Sequence, residues 1–158
     1  MKKLVVLLAS VSVGVMSAQG VQAAPASGPG RPTVVLNFLE VQTGFGDSFS
    51  GNEAPKPGDR FWLHSEFYRW HGTKRGPHLG HADAIGVFGT SGNPVITGVA
   101  AYPGGTLSVV GLASSGPVSR LAVVGGTGIY ATARGEVIIH SIGGPDSNLS
   151  ADTVRLWM

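Results

Sequence analysis

The feature that most constrains the fold of this sequence is a two-residue alternation of apolar and polar side chains, which recurs in one short segment after another. Along residues 58–70, one face carries Phe61, Leu63, Ser65 and Phe67. This period is typical of a β-strand with one buried face. Beyond the N-terminal segment, no stretch of ten or more residues shows a helical apolar period. The chain is therefore predicted to be all-β.

Eight segments have this character, and short Gly-, Pro- and Asn-containing turns separate most of them. The predicted strands are residues 33–43, 58–70, 81–88, 94–102, 106–114, 118–125, 135–142 and 151–158. Hairpin-length connections of this kind favour an antiparallel sandwich or barrel. Eight strands can close into a barrel whose interior holds side chains or one small ligand.

The N-terminus has the pattern of a secretory signal peptide. Lys2 and Lys3 precede an apolar run, and a small-x-small sequence ends at Ala23. The run is shorter than the ~20 residues of a membrane-spanning helix. We therefore expect residues 1–23 to be cleaved, residues 24–32 to form a flexible Pro/Gly/Ser-rich linker, and residues 33–158 to form one domain. The mature protein is expected to be secreted or periplasmic without a stable membrane anchor; an uncleaved anchor is the alternative.

Charge and cysteine content exclude several classes of function. Of eleven Lys and Arg residues, two lie in the signal segment, which leaves nine against nine Asp and Glu. A formally neutral mature chain gives no basis for a nucleic-acid partner. The sequence has no cysteine, so it cannot form a disulfide framework or a cysteine-based zinc site.

The glycine-rich stretch VVGGTG near Gly125 and Gly128 resembles the start of a nucleotide-binding loop. A dinucleotide fingerprint requires a third glycine, but Ala131 stands at that position. The following residues are β-branched and predict a strand rather than a helix. We therefore expect the glycines to provide positive φ angles in a sharp connection between antiparallel strands.

Two longer motifs resemble a known group of barrels. The segment GGTLSVVGL followed by VSRLAVVGGTGIYATARGEV is similar to plant dirigent proteins. The segment PGDRFWLHSEFYRWHGTKRGPHLGHADAI is similar to allene oxide cyclases. The resemblance covers nearly all of residues 34–158 and implies a small, calycin-like, eight-stranded antiparallel β-barrel with a hydrophobic cavity, usually assembled as a homotrimer.

The same resemblance implies handling of a reactive apolar molecule without any cofactor. Proteins of this kind steer the cyclisation or the stereoselective coupling of an unstable intermediate, since a shaped cavity fixes the reactant's conformer and a few polar groups bias charge. Whether this chain is an enzyme is left open. The alternative is a lipocalin-like protein that binds apolar ligands and catalyses nothing.

Glu40 is the first candidate catalytic residue. It lies on the same alternating face as Phe38 and Gln42, and an acid on an apolar face must be hydrogen-bonded or protonated if it is buried. The resemblance also places the important carboxylate of the family on the first strand. Phe38, Leu63 and Phe67 are expected to contribute apolar walls to the ligand site.

Further candidates follow from the resemblance. Gln42, Ser48 and Ser65 occupy positions where allene oxide cyclases place water-binding polar residues, although the residue types differ. Tyr68 matches a tyrosine of the same motif, with a structural role as the alternative. Arg134 matches the arginine of the dirigent ARG motif and is the second candidate catalytic residue. An ion pair between Arg134 and the neighbouring Glu136 is the alternative.

Four histidines surround one predicted hairpin, namely His64, His71, His78 and His81, with Asp83 nearby. Imidazoles in such a cluster can bind copper or zinc, but the spacing matches no established ligand pattern. We expect exposed histidines and no metal site. No G-x-S-x-G motif or Ser-His-acid set points to a hydrolase.

Overall fold

The computed structural model describes residues 31–49, 54–71, 74–144 and 147–158. The predicted signal peptide and most of the predicted linker lie outside the described residues. Within those ranges, no helix combines the length and the apolar character needed to cross a membrane.

The described chain is a closed antiparallel barrel in which each strand pairs with the next and β8 pairs with β1. Its strands are β1 (Val34–Asp47), β2 (Arg60–His71), β3 (Lys74–Phe88), β4 (Pro94–Tyr102), β5 (Gly105–Leu112), β6 (Val118–Gly126), β7 (Arg134–Ile142) and β8 (Leu149–Trp157). The all-β class and the eight-stranded antiparallel barrel predicted from the sequence are confirmed.

Two strands are longer than predicted. β3 begins at Lys74 rather than at residue 81, because β2 and β3 form one long hairpin that continues through Trp70 and Arg75. Register shifts on both sides of Tyr68 accommodate it, and such irregularities leave no simple alternation in the sequence. β1 extends to Asp47, four residues beyond the predicted end.

A register shift in β1 explains that extension. The pairing with β2 slips between Gln42 and Gly44, so one extra residue is inserted at Thr43. Because side chains alternate with a period of two, the insertion reverses which residues face inward. Phe45 is consequently paired with inward-facing Leu63 and stacks on Phe61 at a ring-centroid distance of 5.9 Å.

The two ends of the barrel are filled differently. We call the end with the Pro103–Gly104 turn the packed end, and the opposite end, with residues 89–93 and 113–117, the open end. The packed end holds most of the hydrophobic core, which comprises Phe38, Phe67, Ala100, Leu107, Leu121, Val123, Tyr130, Ala133, Val137, Val154 and Leu156. Toward the open end, β3 and β4 carry small side chains such as Ala84 and Gly98, while Phe45, Phe61 and Phe88 pack together where β1, β2 and β3 reach that end.

The glycine stretch closes the packed end. Gly128 has a φ of 59° and begins a three-residue 3-10 turn that ends at the buried Tyr130. The Ile129 N–H donates to the Gly104 carbonyl at 3.0 Å. A Cβ on Gly128 would overlap that same oxygen, so only glycine fits. The stretch is a connection between two antiparallel strands, as predicted.

Candidate functional site

The interior of the barrel contains a cavity of about 250 Å³. At a liquid volume of ~30 Å³ per water, it has room for roughly eight water molecules or one small organic molecule. Small residues on β3 and β4 create much of this space, namely Ala82, Ala84, Gly98 and Ala100. Ser147 and Asn148 also line it, which places its outer part at the open end.

Three aromatic rings form what we call the aromatic floor of the cavity: Phe38, Phe67 and Tyr102. The rings of Phe38 and Phe67 lie 4.6 Å apart, and Tyr102 stacks on Phe67 at 5.3 Å with an interplanar angle of 13°. Tyr130 meets Tyr102 edge-on at 6.2 Å. The floor therefore joins the core of the packed end and separates it from the cavity.

Two carboxyl groups stand beside this floor, and we call Glu40 and Asp152 the carboxyl pair. Both line the cavity. Asp152 lies opposite Phe38 in the β1–β8 register, and Glu40 lies opposite Ser150. The Ser150 hydroxyl donates to Glu40 Oε2 at 3.2 Å. The closure of the barrel by β1 and β8 thus brings together acids that are distant in sequence.

The surroundings of Asp152 favour the protonated form of its carboxyl group. Only 3% of the residue is exposed, and burial raises its pKa well above the ordinary value because the carboxylate loses hydration. The neighbouring charge of Glu40 and a hydrogen bond with it raise the pKa further. A proton on Asp152 can therefore be shared with Glu40 through their hydrogen bond.

One oxygen of this pair has no protein partner. Asp152 Oδ1 is buried and makes no hydrogen bond within the described part of the chain. A buried polar atom without a partner is destabilising by about 1–3 kcal/mol. Because Asp152 lines the cavity, a molecule bound there can supply the missing contact.

Tyr102 contributes a second proton-bearing group. Burial raises the pKa of its phenol well above 10, and the charges of Asp152 and Glu40 raise it further. The hydroxyl group therefore remains protonated at ordinary pH, where it can donate a hydrogen bond.

The cavity has no cationic lining residue in the ranges that the structure describes. A third acid, Asp83, is among the lining residues, but its side chain is 71% exposed and Asp83 Oδ1 lies 2.7 Å from His64 Nδ1. The electrostatic character of the interior is therefore set by the carboxyl pair.

Five residues predicted for the site line this cavity: Phe38, Glu40, Gln42, Leu63 and Phe67. They lie on the inner faces of β1 and β2, as the alternation indicated. Their roles in binding or catalysis remain predictions.

Three others are placed elsewhere. Ser48 Oγ accepts the Arg60 N–H at 2.9 Å and so connects the end of β1 to β2. The guanidinium carbon of Arg75 lies 3.5 Å from the centroid of the Tyr68 ring. This cation–π contact stabilises the long hairpin. Ser65 is fully buried on the inner face, but it does not line the cavity, and its hydroxyl has no hydrogen-bond partner in the described chain.

Arg134 is exposed and does not line the cavity; its guanidinium donates to the Ala133 carbonyl at 2.8 Å. The ion-pair partners of Glu136 are Arg120 and Arg155, each at 3.0 Å. Arg155 lies directly opposite Glu136 in the β7–β8 register, whereas residues two apart on one strand are farther from each other. The cavity geometry gives no support to a catalytic role for Arg134.

The histidines form acid-linked pairs on the outer wall of β2 and β3. His64 Nδ1 lies 2.7 Å from Asp83 and its Nε2 lies 3.2 Å from Glu66, while His78 contacts the other Glu66 oxygen at 2.5 Å. His81 packs beside His64, and the His71 side chain lies outside the described set. No group of three or more potential ligands is placed to hold a metal among the described residues.

Asp152 is the site residue that the sequence analysis missed. Its alternation with Val154 and Leu156 in β8 placed it on an apolar face, by the same reasoning that identified Glu40. The sequence therefore marked Asp152 as an acid on an apolar face, but it did not indicate which strand pairs with β8. Only the β1–β8 pairing brings the two carboxyl groups together.

Comparison with known proteins adds evidence on the fold. No protein-family model matches the sequence, and no curated protein matches it at a significant level. Among solved structures, a pyocyanin demethylase superposes with a TM-score of 0.61 at 18% identity, over 78% of this chain and 100% of that chain. The pterocarpan synthase dirigent protein GePTS1 gives 0.62 at 19%, over 88% and 98%. AbnU, an exo-specific intermolecular Diels-Alderase, gives 0.59 at 15%, over 77% and 96%.

These similarities establish the architecture. The chain has the eight-stranded barrel fold that dirigent proteins and Diels-Alderase barrels share. The resemblance seen in the glycine-rich and ARG motifs is confirmed at the level of the fold.

Proposed function

We propose that this protein binds a small, mostly apolar molecule in its barrel and steers a ring-forming isomerisation of that molecule without a cofactor. The observation that carries the proposal is the carboxyl pair, half-buried Glu40 and buried Asp152, beside an aromatic floor in an open-ended cavity. The names of the structural neighbours, a pterocarpan synthase and a Diels-Alderase, support it by analogy.

The cavity contributes by restricting conformation. A flexible reactant confined in about 250 Å³ adopts few conformers, and holding reacting atoms in contact lowers the entropic part of the barrier. The aromatic floor and the apolar walls supply this confinement. Since the wall is chiral, they also select one face of attack.

The carboxyl pair contributes charge. The proton shared by Glu40 and Asp152 can be donated to a carbonyl or epoxide oxygen as the ring closes, and the remaining negative charge can stabilise a developing cation. The proton returns to the pair when the product forms. Every atom and electron of the reactant remains in the product, so the step requires no oxidant or reductant.

The experiment uses compounds that cyclise slowly by themselves in water. A suitable panel is an ortho-quinone methide with a tethered nucleophile, a diene tethered to an enone, and a diene tethered to an N-methylpyridinium-activated alkene. The purified mature chain is added, and the stereoisomer ratio is measured by chiral chromatography. We expect at least one compound to shift from a racemic product to an excess of one isomer.

The Glu40→Gln variant separates this proposal from a binding protein without chemistry. Loss of a general acid or base lowers rates by roughly 10²–10⁴-fold, so the variant should bind the reactant and lose the rate enhancement. Glu66→Gln, on the outer wall, is the matched control and should behave as wild type. A Glu40→Gln protein with unchanged rate and stereoisomer ratio contradicts the mechanism.

We also propose that the protein acts after export and assembles as a homotrimer. Export is supported by the pattern of residues 1–23, and the trimer by the resemblance to the barrel family. N-terminal sequencing of the protein from the extracellular or periplasmic fraction tests the first, and sedimentation equilibrium tests the second.

A further inference from the structure

The polar groups of the cavity have an unusual balance of charge. Its two interior acids, Glu40 and Asp152, contact each other and Ser150, and no Lys, Arg or His is among the described residues that line the cavity. Buried acids in proteins are generally accompanied by a cation or a full set of hydrogen-bond donors. Here neither is present in the protein wall.

We propose, resting on the assignment of this cavity as the ligand site, that its ligand is an organic cation: a flat, largely apolar molecule with a protonated or quaternised nitrogen. Such a ligand brings the charge that the wall lacks. Its nitrogen lies against the carboxyl pair, and its rings occupy the apolar space above the aromatic floor.

The unpartnered oxygen of Asp152 is the first support. Asp152 is 3% exposed, and its Oδ1 makes no contact with a donor in the described chain. An N–H group of a ligand can donate to this atom once the side chains around it shift to expose it. A quaternised nitrogen can instead place its polarised C–H groups against it, and either contact removes a destabilising feature of the empty barrel.

The aromatic floor is the second support, and it is independent of the acids. The faces of aromatic rings attract cations within about 6 Å of the ring centroid. Phe38, Phe67 and Tyr102 lie 4.6–5.9 Å from one another, so a cationic group seated on the floor lies near more than one ring. Aromatic cages are the surroundings in which proteins recognise quaternary ammonium groups.

The same arrangement discriminates against other ligands. A neutral aromatic molecule can use the apolar walls but leaves the carboxyl pair without a partner. An anion is repelled by the negative charge of the pair, at short range and in a medium of low dielectric constant. The expected order of affinity is therefore cation, then neutral molecule, then anion.

Three probes of nearly equal size test this order: 1-methylquinolinium, its neutral isostere 1-methylnaphthalene, and 1-naphthoate. Their dissociation constants for the full-length mature chain are measured by equilibrium dialysis. We expect the cation to bind at least tenfold more tightly than 1-methylnaphthalene, and 1-naphthoate to bind at least tenfold more weakly. Equal affinity for the cation and its neutral isostere overturns the proposal.

Variants then locate the effect. The double substitution Glu40→Gln and Asp152→Asn should abolish the preference for the cation and leave 1-methylnaphthalene affinity within twofold of wild type. The matched control is Glu66→Gln with Glu136→Gln, which removes two acids from the outer wall and should keep the preference. A preference that survives the interior substitutions, or disappears with the exterior ones, contradicts the assignment. Circular dichroism checks folding, and if the interior variant fails to fold, the three-probe comparison on wild type decides.

The outcomes distinguish this inference from the proposed function. If the protein prefers the cationic probe but does not change the stereoisomer ratio of any cyclising compound, the ligand class is supported and the catalytic proposal is contradicted. Stereocontrol that depends on Glu40, together with stronger binding of the neutral probe, removes the ligand class alone.

Discussion

The barrel wall carries two sets of acids, one on each side, and the chain treats them differently. On the outer wall, Asp83 and Glu66 are each bonded to a histidine at 2.7 Å and 2.5 Å. Inside, Glu40 and Asp152 are hydrogen-bonded to each other, and Ser150 is the other described side chain that donates to them.

This difference separates a structural use of acids from a functional one. The outer pairs are partly solvated, so they contribute little to stability and nothing in the geometry requires a ligand. Inside, Asp152 is held in an environment that opposes its ionisation, which destabilises the fold and prepares the group for proton transfer or ligand binding. The interior acids are therefore the ones to associate with function.

The largest effect should come from removing the buried acid. The pKa of Asp152 is raised in the folded state, whereas an unfolded Asp has a pKa of about 3.9. Above that pH the unfolded chain releases this proton first, so the contribution of Asp152 to the free energy of unfolding falls as pH rises, by up to about 1.4 kcal/mol per pH unit. Asp152→Asn should remove this loss, and its advantage over wild type should grow from pH 4 to pH 8.

Urea unfolding followed by tryptophan fluorescence at pH 4, 6 and 8 measures the effect. Asp83→Asn, its counterpart on the outer wall, should change the pH dependence much less. If wild type and Asp152→Asn give parallel curves of stability against pH, the buried carboxyl is not destabilising and the contrast between the two sides fails.

A smaller effect is expected from filling the cavity. Ala84→Phe places a ring in the space that Ala84 and Gly98 leave open, so 1-methylnaphthalene should bind at least tenfold more weakly. Stability should change by no more than the ~1–3 kcal/mol typical of overpacking. Ala122→Phe, at an exposed position on β6, is the control and should bind normally. Unchanged binding by Ala84→Phe would place the ligand elsewhere.

The smallest effect concerns the outer wall. Hydrogen bonds to Asp83 and then Glu66 raise the pKa of His64. The resulting stabilisation is complete below about pH 6.5 and disappears as pH rises through the elevated pKa. Because the side chain is 34% exposed, solvent screening limits it to less than about 1 kcal/mol.

His64→Gln should therefore be slightly less stable than wild type at pH 5.5 and equally stable at pH 9 in the same urea experiment. His140→Gln, at another exposed histidine, provides the comparison. A loss at pH 5.5 well above 1 kcal/mol would mean that the outer pairs are as consequential as the inner one.

Alternation along the chain was sufficient to predict the strands and much of the cavity wall. It placed Phe38, Glu40 and Gln42 on one inner face because strands have a fixed period of two. It failed beyond Thr43, where an inserted residue reverses the faces. No residue type in the sequence marks the inserted residue, because the bulge in β1 is stabilised by the pairing of β1 with β2.

The carboxyl pair shows a second limit. Glu40 and Asp152 are each visible as an acid on an apolar face, but their contact depends on which strands close the barrel. That pairing is decided by the whole topology, not by local sequence. The same reasoning explains Glu136, which pairs with Arg155 across the strand rather than with the arginine two residues away.

The packed end determines how a ligand enters and leaves the barrel. Because Tyr130 and the aromatic floor block that end in the described part of the chain, a ligand reaches the cavity from the other end, where Ser147 and Asn148 line it. A ligand whose charged group lies against Glu40 and Asp152 must enter with that group first and leave with that group last. Residues at this entrance then contact only the uncharged part of the ligand. That part can therefore change during evolution while the charged group is recognised as before.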